Sequence, residues 1–202
     1  MGDILALAWH KYLNNLKRDP VKTKAVTASL IAIASDLIAQ RLGGSSRARV
    51  NWRRTLSIAL YGLIWTGPSN HYWQLFLERL FPDKKDPLRP AKKVALDQLT
   101  CGPLNNIMFM IYISMIVEGR SWNATKLKIR ADYANVQVNG WRLWPLAQFI
   151  NQSFVPLELR VLWSNMVSLI WTTFMITRAK TAGRIPGPNL PRLPTLLASK
   201  EL

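Results

Sequence analysis

Ten polar side chains interrupt stretches of the sequence that are otherwise apolar. They carry carboxylate, imidazole, amide or guanidinium groups, and they are Asp36, Gln40, His71, Asp97, Gln98, Asn105, Gln148, Asn151, Gln152 and Arg160. Inside apolar helices, groups of these types relay protons, line a path for ions and small solutes, or bond to one another and fix helix packing. The sequence therefore predicts a buried polar network, whose function depends on the elements that carry it.

Two other kinds of chemistry find little support among these residues. Asp36 and Asp97 lie on different apolar stretches, as the two aspartates of an intramembrane protease do, but neither follows a glycine in the context that such enzymes use. The chain has one cysteine, Cys101, and two histidines, His10 and His71, so it can form neither an internal disulfide nor a cluster of these metal ligands. We expect no enzymatic activity and no metal site.

Four apolar stretches carry the polar groups, at residues 25–42, 55–77, 94–117 and 143–177. Each reaches the length of about 17 to 25 residues that crosses a bilayer. A carboxylate near the middle of such a span costs roughly 2.5–3.5 kcal/mol unless it is paired or hydrated, so the polar groups should face the interior of a bundle. The sequence therefore predicts an all-α integral membrane protein, with residues 20–180 forming a four-helix bundle.

Four prolines lie inside the predicted spans: Pro68, Pro103, Pro145 and Pro156. A proline within a helix has no N–H to donate, and it leaves the carbonyl four residues earlier without a partner. In a bilayer that carbonyl must be satisfied by a neighbouring helix or by water. We therefore expect proline-kinked helices, with a break in the fourth span near Pro156.

The segments outside the spans have distinct patterns. Residues 1–19 place apolar side chains at helical spacing, which predicts an amphipathic helix that lies in the membrane interface or packs on the protein's own membrane domain. Residues 118–140 mix charged and apolar types, and we expect a partly helical connection at the membrane surface. Residues 181–202 are rich in proline, which favours a disordered tail.

The chain is strongly basic, with 27 Lys and Arg against 11 Asp and Glu and a formal net charge of +16. A nucleic-acid-binding protein would gather such residues on one face, whereas here they bracket the four apolar spans, so we expect no nucleic-acid partner. Loops on the side of the two termini hold more Lys and Arg than the other loops. This small asymmetry favours a cytosolic position for both termini but does not fix the orientation.

The polar and proline residues together are more specific than any one of them. In this combination the chain resembles the family of twenty-two-kilodalton peroxisomal membrane proteins and their mitochondrial inner-membrane relatives, over about Tyr12 to Ile176. The resemblance rests on Asp36, Ala39, Gln40, Gly67, Pro68, His71, Trp73, Lys93, Asp97, Gln98, Pro103, Trp141, Trp144, Pro145, Gln148, Asn151, Val155, Pro156, Arg160 and Trp171. The chain departs from the family's pattern at Gln152, where an aromatic residue is usual, and at Asn51, where many members have an acid.

The resemblance implies a four-helix integral membrane protein without a bound cofactor. It also implies multi-pass insertion in the peroxisomal membrane or, alternatively, in the mitochondrial inner membrane. For some members it implies channel-like conductance, with roles in reactive-oxygen balance and in the maintenance of mitochondrial DNA.

Two functions fit these residues. The first is a channel-like pore for small solutes or ions, lined by the ten polar residues and linked to redox and metabolite balance. Since four helices barely enclose an aqueous path, a pore predicts a homo-oligomer. The second is a membrane scaffold or assembly factor, in which the buried polar groups only fix the register of the helices and the basic loops contact anionic lipids.

Overall fold

The chain is built from helices in a computed structural model, which describes residues 2–43 and 49–181. The helices are α1 (Gly2–Arg18), α2 (Pro20–Gly43), α3 (Trp52–Tyr61), α4 (Gly67–Leu80), α5 (Arg89–Leu96), α6 (Gly102–Tyr112), α7 (Trp122–Trp141), α8 (Trp144–Phe154) and α9 (Arg160–Thr181). The described residues contain no strand, which confirms the predicted all-α class. The predicted disordered tail lies, apart from Thr181, outside the described residues.

The distribution of side chains is that of a protein surrounded by lipid. Large apolar side chains are exposed along the helices, as at Leu30 (61%), Leu56 (62%) and Leu104 (55%). Polar side chains, Asp36 and Asn151 among them, are buried instead. Soluble proteins show the opposite arrangement. Two segments, Pro20–Leu42 and Arg89–Val117, are long and apolar enough to cross a membrane.

Two prolines lie in helices that continue through them. A π-helical turn, Gly62–Thr66, joins α3 to α4 just before Pro68, and a second, Asp97–Cys101, joins α5 to α6 just before Pro103. In each, the N–H of the following glycine bonds to a carbonyl five residues earlier. The extra residue lets the helix absorb the missing donor of the proline. The kinks predicted at Pro68 and Pro103 stay predictions.

The other two prolines lie where helices begin or end. Pro145 is in the first turn of α8, where its missing N–H leaves no carbonyl without a partner, and the chain has already turned at 142–143. Pro156 follows Val155, whose extended backbone ends α8. Residues 155–159 are therefore not helical, and this interruption lies at the place where a break is predicted.

We call each run of the chain along the length of the helix bundle a pass. Glycines allow α2, the first pass, to approach the second pass, which α3 and α4 form. A Cβ atom on Gly67 would lie 2.4 Å from the Cα atom of Ala25, and one on Gly62 would lie 3.0 Å from the Cα atom of Ser29. A Cβ atom does not fit at the distance found for Gly67, and at Gly62 it would fit only if the neighbouring backbone shifted. The two passes therefore meet backbone to backbone, as membrane helices with small residues at their contact do.

Paired side chains give the direction of each pass. Lys24 meets His71 while Gln40 meets Asn51, so α2 is antiparallel to α3–α4. The end of the bundle that holds the last turn of α4 is called here the Glu78 end, and the opposite end the Asp36 end. The third pass, α5–α6 with a terminal π turn at Ile113–Val117, runs from the Glu78 end to the Asp36 end.

Helix α7 then returns along the third pass. It is a continuous helix of 20 residues, where the sequence indicated only a partly helical surface connection. Thr125 bonds to Ser114 near its start, and the indole N–H of Trp141 donates to the carbonyl of Gln98 at its end. The charged residues of α7 therefore lie beside an apolar pass instead of on a loop.

The predicted fourth span, residues 143–177, consists of two antiparallel helices. The side-chain amide of Asn151 on α8 donates to Ser164 on α9, and the indole of Trp163 donates to the carbonyl of Ala147. Such pairs require a reversal, which the non-helical residues 155–159 supply. The described chain thus makes five passes, α2, α3–α4, α5–α6, α7–α8 and α9, where four spans were predicted, because hydropathy does not distinguish a bent helix from a hairpin.

The N-terminal helix α1 exposes most of its described side chains, and Leu16 is its buried residue. Leu16 is 2% exposed where α1 joins α2, whereas Ile4, Leu7 and Trp9 are exposed. Two basic residues, Lys17 and Arg18, lie in its last turn. An exposed apolar side is what an interfacial helix presents to lipid.

Candidate functional site

Glu78, on the last turn of α4, holds three passes together. Its Oε1 atom binds Lys93 of α5 and Arg160 of α9, and its Oε2 atom binds Arg89 of α5. The Lys93 and Arg160 side chains are only 1% and 8% exposed. Three cations thus share one carboxylate, which leaves a surplus of positive charge. We call these four residues the Glu78 cluster.

A chain of amides extends the Glu78 cluster into the bundle. Arg160 donates from Nη1 to Gln152 Oε1 (2.9 Å) and from Nε to the carbonyl of Val155 (3.0 Å). Gln152 donates in turn to Gln74 Oε1 at 2.9 Å. Gln152 is one of the two departures from the family pattern, and here its amide links the cation on α9 to α4.

Asn151 fastens α8 to α9 beside this network. Its Nδ2 donates to Gln148 Oε1 (3.0 Å) and to Ser164 Oγ (3.2 Å), and the side chain is fully buried. Its Oδ1 atom has no hydrogen-bond donor among the described residues.

Lys24 and His71 form a buried pair between α2 and α4. The Nζ atom lies 3.1 Å from His71 Nδ1, and the two residues are 4% and 7% exposed. A lysine ammonium only donates, so Nδ1 must be the acceptor and the ring must be neutral. Lys24 thus adds a further cation to the Glu78 end.

Asp36 is the centre of a second cluster at the opposite end. Its Oδ1 accepts from Arg54 Nε at 2.9 Å, and its Oδ2 accepts from Thr55 Oγ and Gln40 Nε2, both at 2.7 Å. The oxygen of Gln40 accepts the backbone N–H of Asn51 at 2.7 Å. We call these five residues the Asp36 cluster. Its carboxylate is fully satisfied, as in a structural ion pair.

Asn51, the second departure from the family pattern, has a role of its own. Its side-chain oxygen accepts the backbone N–H of Arg54 at 3.1 Å and so caps α3. Asparagine is among the best residues for this position. The missing acid is therefore replaced by a helix cap.

The remaining polar residues of the third pass bond to tryptophans of the second. Asp97 Oδ1 accepts the indole N–H of Trp73 at 2.7 Å, and its Oδ2 accepts from Gln98 at 3.0 Å. Asn105 Oδ1 accepts the indole N–H of Trp65 at 3.0 Å. Asp97 is 8% exposed and has no cationic partner among the described residues. These residues belong to neither of the two clusters.

Glu118 closes the turn between the third pass and α7. It binds Lys128 at 2.8 Å and Arg120 at 2.6 Å. Burial alone would raise the pKa of Glu118, but the hydrogen bonds from Lys128 and Arg120 outweigh it and lower that pKa below its ordinary value. The carboxylate therefore stays ionised and ties α7 to the end of the third pass.

Several residues of these clusters were not predicted as site residues: Lys24, Arg54, Glu78, Arg89 and Lys93. Each lies at or just beyond the end of a predicted span, where charged residues normally meet water. The usable signal was Glu78, a lone acid directly after an apolar span in a basic chain. In a chain with 27 Lys and Arg, several cations could bind an acid in that position.

Sequence comparison agrees with the resemblance. Residues 115–175 match the Mpv17 / PMP22 family. The chain is 35% identical over 171 residues to the peroxisomal membrane protein PMP22 of Arabidopsis thaliana, covering 85% of this chain and 89% of that protein. The chain belongs to the Mpv17/PMP22 family.

Other members of the Mpv17/PMP22 family are similar over most of their length. Peroxisomal membrane protein 2 of Bos taurus is 29% identical, covering 89% of this chain and 93% of that protein. Protein SYM1 of Saccharomyces cerevisiae is 31% identical, covering 82% and 87%. No solved structure matches the chain. The predicted family is confirmed, and with it a membrane protein with apolar helices.

In this Mpv17/PMP22 protein the polar groups can bind one another and carry charge. The described residues contain no group of three or more His, Cys, Asp or Glu that could hold a metal ion. What the arrangement offers is a basic cluster at one end, a satisfied acid at the other, and a buried acid, Asp97, between them.

Proposed function

We propose that this protein is a multi-pass protein of the peroxisomal membrane that forms a gated, channel-like pore for small solutes or ions. Two relatives, the peroxisomal membrane proteins of Arabidopsis thaliana and Bos taurus, support the peroxisomal membrane, and the mitochondrial inner membrane is the alternative. The bilayer is its partner, and it assembles as a homo-oligomer. The exposed apolar surface and buried polar groups support insertion.

The observation that carries the proposal is the Glu78 cluster. A single carboxylate binds cations from two other passes, so those passes separate only if these ion pairs break. Breaking them would uncover Lys93 and Arg160 at the same end. Rings or clusters of cations favour the passage of anions. The cluster is thus suited to hold a closed state and to select by charge once it opens.

The strongly apolar passes α2, α3–α4, α5–α6 and α9 supply the four-helix frame of this pore. Pro68 and Pro103, each next to a π turn, are the proposed kinks on which the second and third passes bend. A hinge at these two points would move the helix ends that carry Glu78 and Lys93. Movement there would act directly on the Glu78 cluster.

The test is the electrical conductance of purified protein in planar bilayers. Glu78→Gln removes the charge that the cations share, and we expect it to raise the open probability. Asp83→Asn is the matched control, because Asp83 is an exposed acid in the loop that follows α4. The asparagine oxygen keeps its hydrogen bond from the backbone N–H of Lys85, so this variant should leave the open probability unchanged. Absence of current from both the unaltered protein and Glu78→Gln would refute the pore.

A scaffold or assembly factor is the second candidate, and the Asp36 cluster favours it. Every oxygen of that carboxylate is bonded to a neighbour, so the group fixes α2 against α3 and has nothing left for a solute. A protein without conductance that retains a specific partner through purification would support this function.

We propose no catalytic activity. Asp36 is bonded to Arg54 and Thr55 at one end, and Asp97 is bonded to Trp73 and lies toward the other end. Two aspartates that act on one substrate must lie side by side. Because Asp36 and Asp97 bind different partners toward different ends of the bundle, they do not form such an aspartyl pair.

A further inference from the structure

Helix α7 lies beside the third pass over almost its whole length. Thr125 bonds to Ser114 at 3.2 Å, Gln137 accepts from Asn106 at 2.9 Å, and Trp141 donates to the carbonyl of Gln98 at 3.4 Å. Residues 98–117 of that pass carry no charge and belong to a segment that can cross a membrane. Given the membrane insertion proposed above, α7 lies at the depth of the bilayer.

Only one side of α7 is covered by protein. The fully or nearly buried residues, Thr125 and Gln137, face the third pass. Lys126 and Arg130 are exposed, and Asp132 is half-buried. Arg130 and Asp132 have no ionic partner among the described residues, whereas Lys126 lies over the ring of Trp122. A helix with this surface is an unusual neighbour for lipid.

Lipid alone is a poor cover for the exposed side. Arg130 lies five residues along α7 from Thr125, roughly 7 Å deeper at 1.5 Å per residue. A charge near the bilayer centre costs about 2.5–3.5 kcal/mol, and here a guanidinium and a carboxylate both lie at depth. Such groups normally face protein or water. The exposed side of α7 therefore needs a polar partner.

The shape of that side fits another helix. Its outermost stripe is Leu127, Ala131, Ala134 and Val138, at spacings of four, three and four residues. Two alanines one turn apart let a second helix approach closely. Small apolar residues favour close packing of helices, whereas the lining of a water-filled lumen would be polar.

The flanks of the stripe are complementary to each other. Arg130 lies on one flank of the stripe and Asn135 on the other. At 100° per residue these two residues are about 140° apart around the helix, and Asp132 lies beyond Asn135. Two copies in one bilayer are related by an axis along the membrane normal, so the Arg130 flank of one faces the Asn135 flank of its partner. Donors on one copy thus face acceptors on the next.

We propose that α7 with α8 is a fifth membrane pass, and that the exposed side of α7 packs against α7 of a second copy of this chain. The contact supplies the second subunit that the proposed pore requires. With five passes, α1 and the end of α9 lie on opposite faces of the membrane. This differs from the sequence prediction that both termini are cytosolic.

Cysteine cross-linking in native membranes tests the interface. Cys101→Ser gives a cysteine-free background that keeps an acceptor for Asn105. Ala134→Cys in that background should form a disulfide-linked dimer on mild oxidation. The control is Leu104→Cys, which is exposed on α6 and should remain monomeric. Dimer formation at Leu104 alone, at both positions or at neither would overturn the proposal.

Topology gives a second test that needs no change in the core. Epitope tags at the two ends of the full chain should be digested from opposite sides of sealed vesicles; digestion from the same side would overturn the fifth pass. Alkaline extraction separates the two proposals. Release from the membrane would refute the proposed function itself, whereas a retained protein that fails to cross-link at Ala134→Cys refutes only the interface.

Discussion

Arg160, the first residue of α9, binds Glu78 on the last turn of α4 across 82 positions of sequence. The contact exists because the chain reverses at residues 155–159 and returns α9 to the end where α4 finishes. It also places a buried guanidinium where Gln152 and the carbonyl of Val155 accept its other protons. The ion pair thus joins the hairpin to α4, beside the hydrogen bond from Gln152 to Gln74.

Arg160→Ala should destabilise the protein. It removes one partner of a buried ion pair and leaves Gln152 without a donor, a change that costs about 3 kcal/mol even though Glu78 keeps Lys93 and Arg89. Thermal unfolding of the detergent-purified protein measures the loss. Arg142→Ala is the control, because Arg142 is exposed and bonds only to Asn139 nearby. Equal losses in the two variants would contradict a structural role for the Arg160–Glu78 pair.

Asp36 should tolerate an amide better than an apolar side chain. Asp36→Asn keeps an oxygen for Thr55 and Gln40, whereas Asp36→Ala also removes the acceptor of Arg54. The Thr55 hydroxyl then keeps only its longer bond to the carbonyl of Asn51, at 3.2 Å. Losing hydrogen bonds to a charged acceptor costs about 1–3 kcal/mol, so the alanine variant should unfold at a clearly lower temperature than the asparagine variant. The same melting temperature for both would show that the network adds nothing beyond packing.

Gly67→Ala should separate α2 from α4. The added Cβ would lie 2.4 Å from the Cα atom of Ala25, so one backbone must move, and overpacking of this kind costs roughly 1–3 kcal/mol. The Lys24–His71 contact lies one turn away and should weaken with it. Gly140→Ala is the control, since its nearest neighbour would be a Trp144 side-chain atom at 3.5 Å. A melting temperature that falls only in Gly67→Ala is the expected result.

The Glu118 pairs should make stability depend on pH. Because the folded pKa of Glu118 is lowered from 4.5, its contribution is present above pH 4.5 and is lost as the pH falls through the folded pKa. Glu118→Gln removes this dependence, so its melting temperature should fall less than that of the unaltered protein on acidification. Parallel curves for the two proteins below pH 4.5 would show that Glu118 does not titrate in this way.

The helices and the inward position of the polar groups follow from the sequence, because charge is expensive in lipid wherever it occurs along the chain. Asp36 and Gln40, one turn apart on an apolar helix, indicated their shared cluster directly. The partners of Arg160 did not follow, since they depend on the hairpin at Pro156, and hydropathy reads a hairpin and a bent helix alike. The segment of helix α7 was predicted only as a partly helical surface connection, because its mixed composition does not show that it packs beside the third pass.

Asp97→Asn tests whether a buried carboxylate takes part in conduction. The amide has the same shape and keeps an oxygen for the indole of Trp73, so the fold should change little, while the only charge of this buried group disappears. If Asp97 lies beside the conducting path, current carried by the purified protein in bilayers should shift toward anions. Arg160→Ala should shift it the other way. Unchanged currents in both variants would refute a pore role for these residues. If the melting temperature of Asp97→Asn also stayed near that of the unaltered protein, Asp97 would be a packing residue held by two hydrogen bonds.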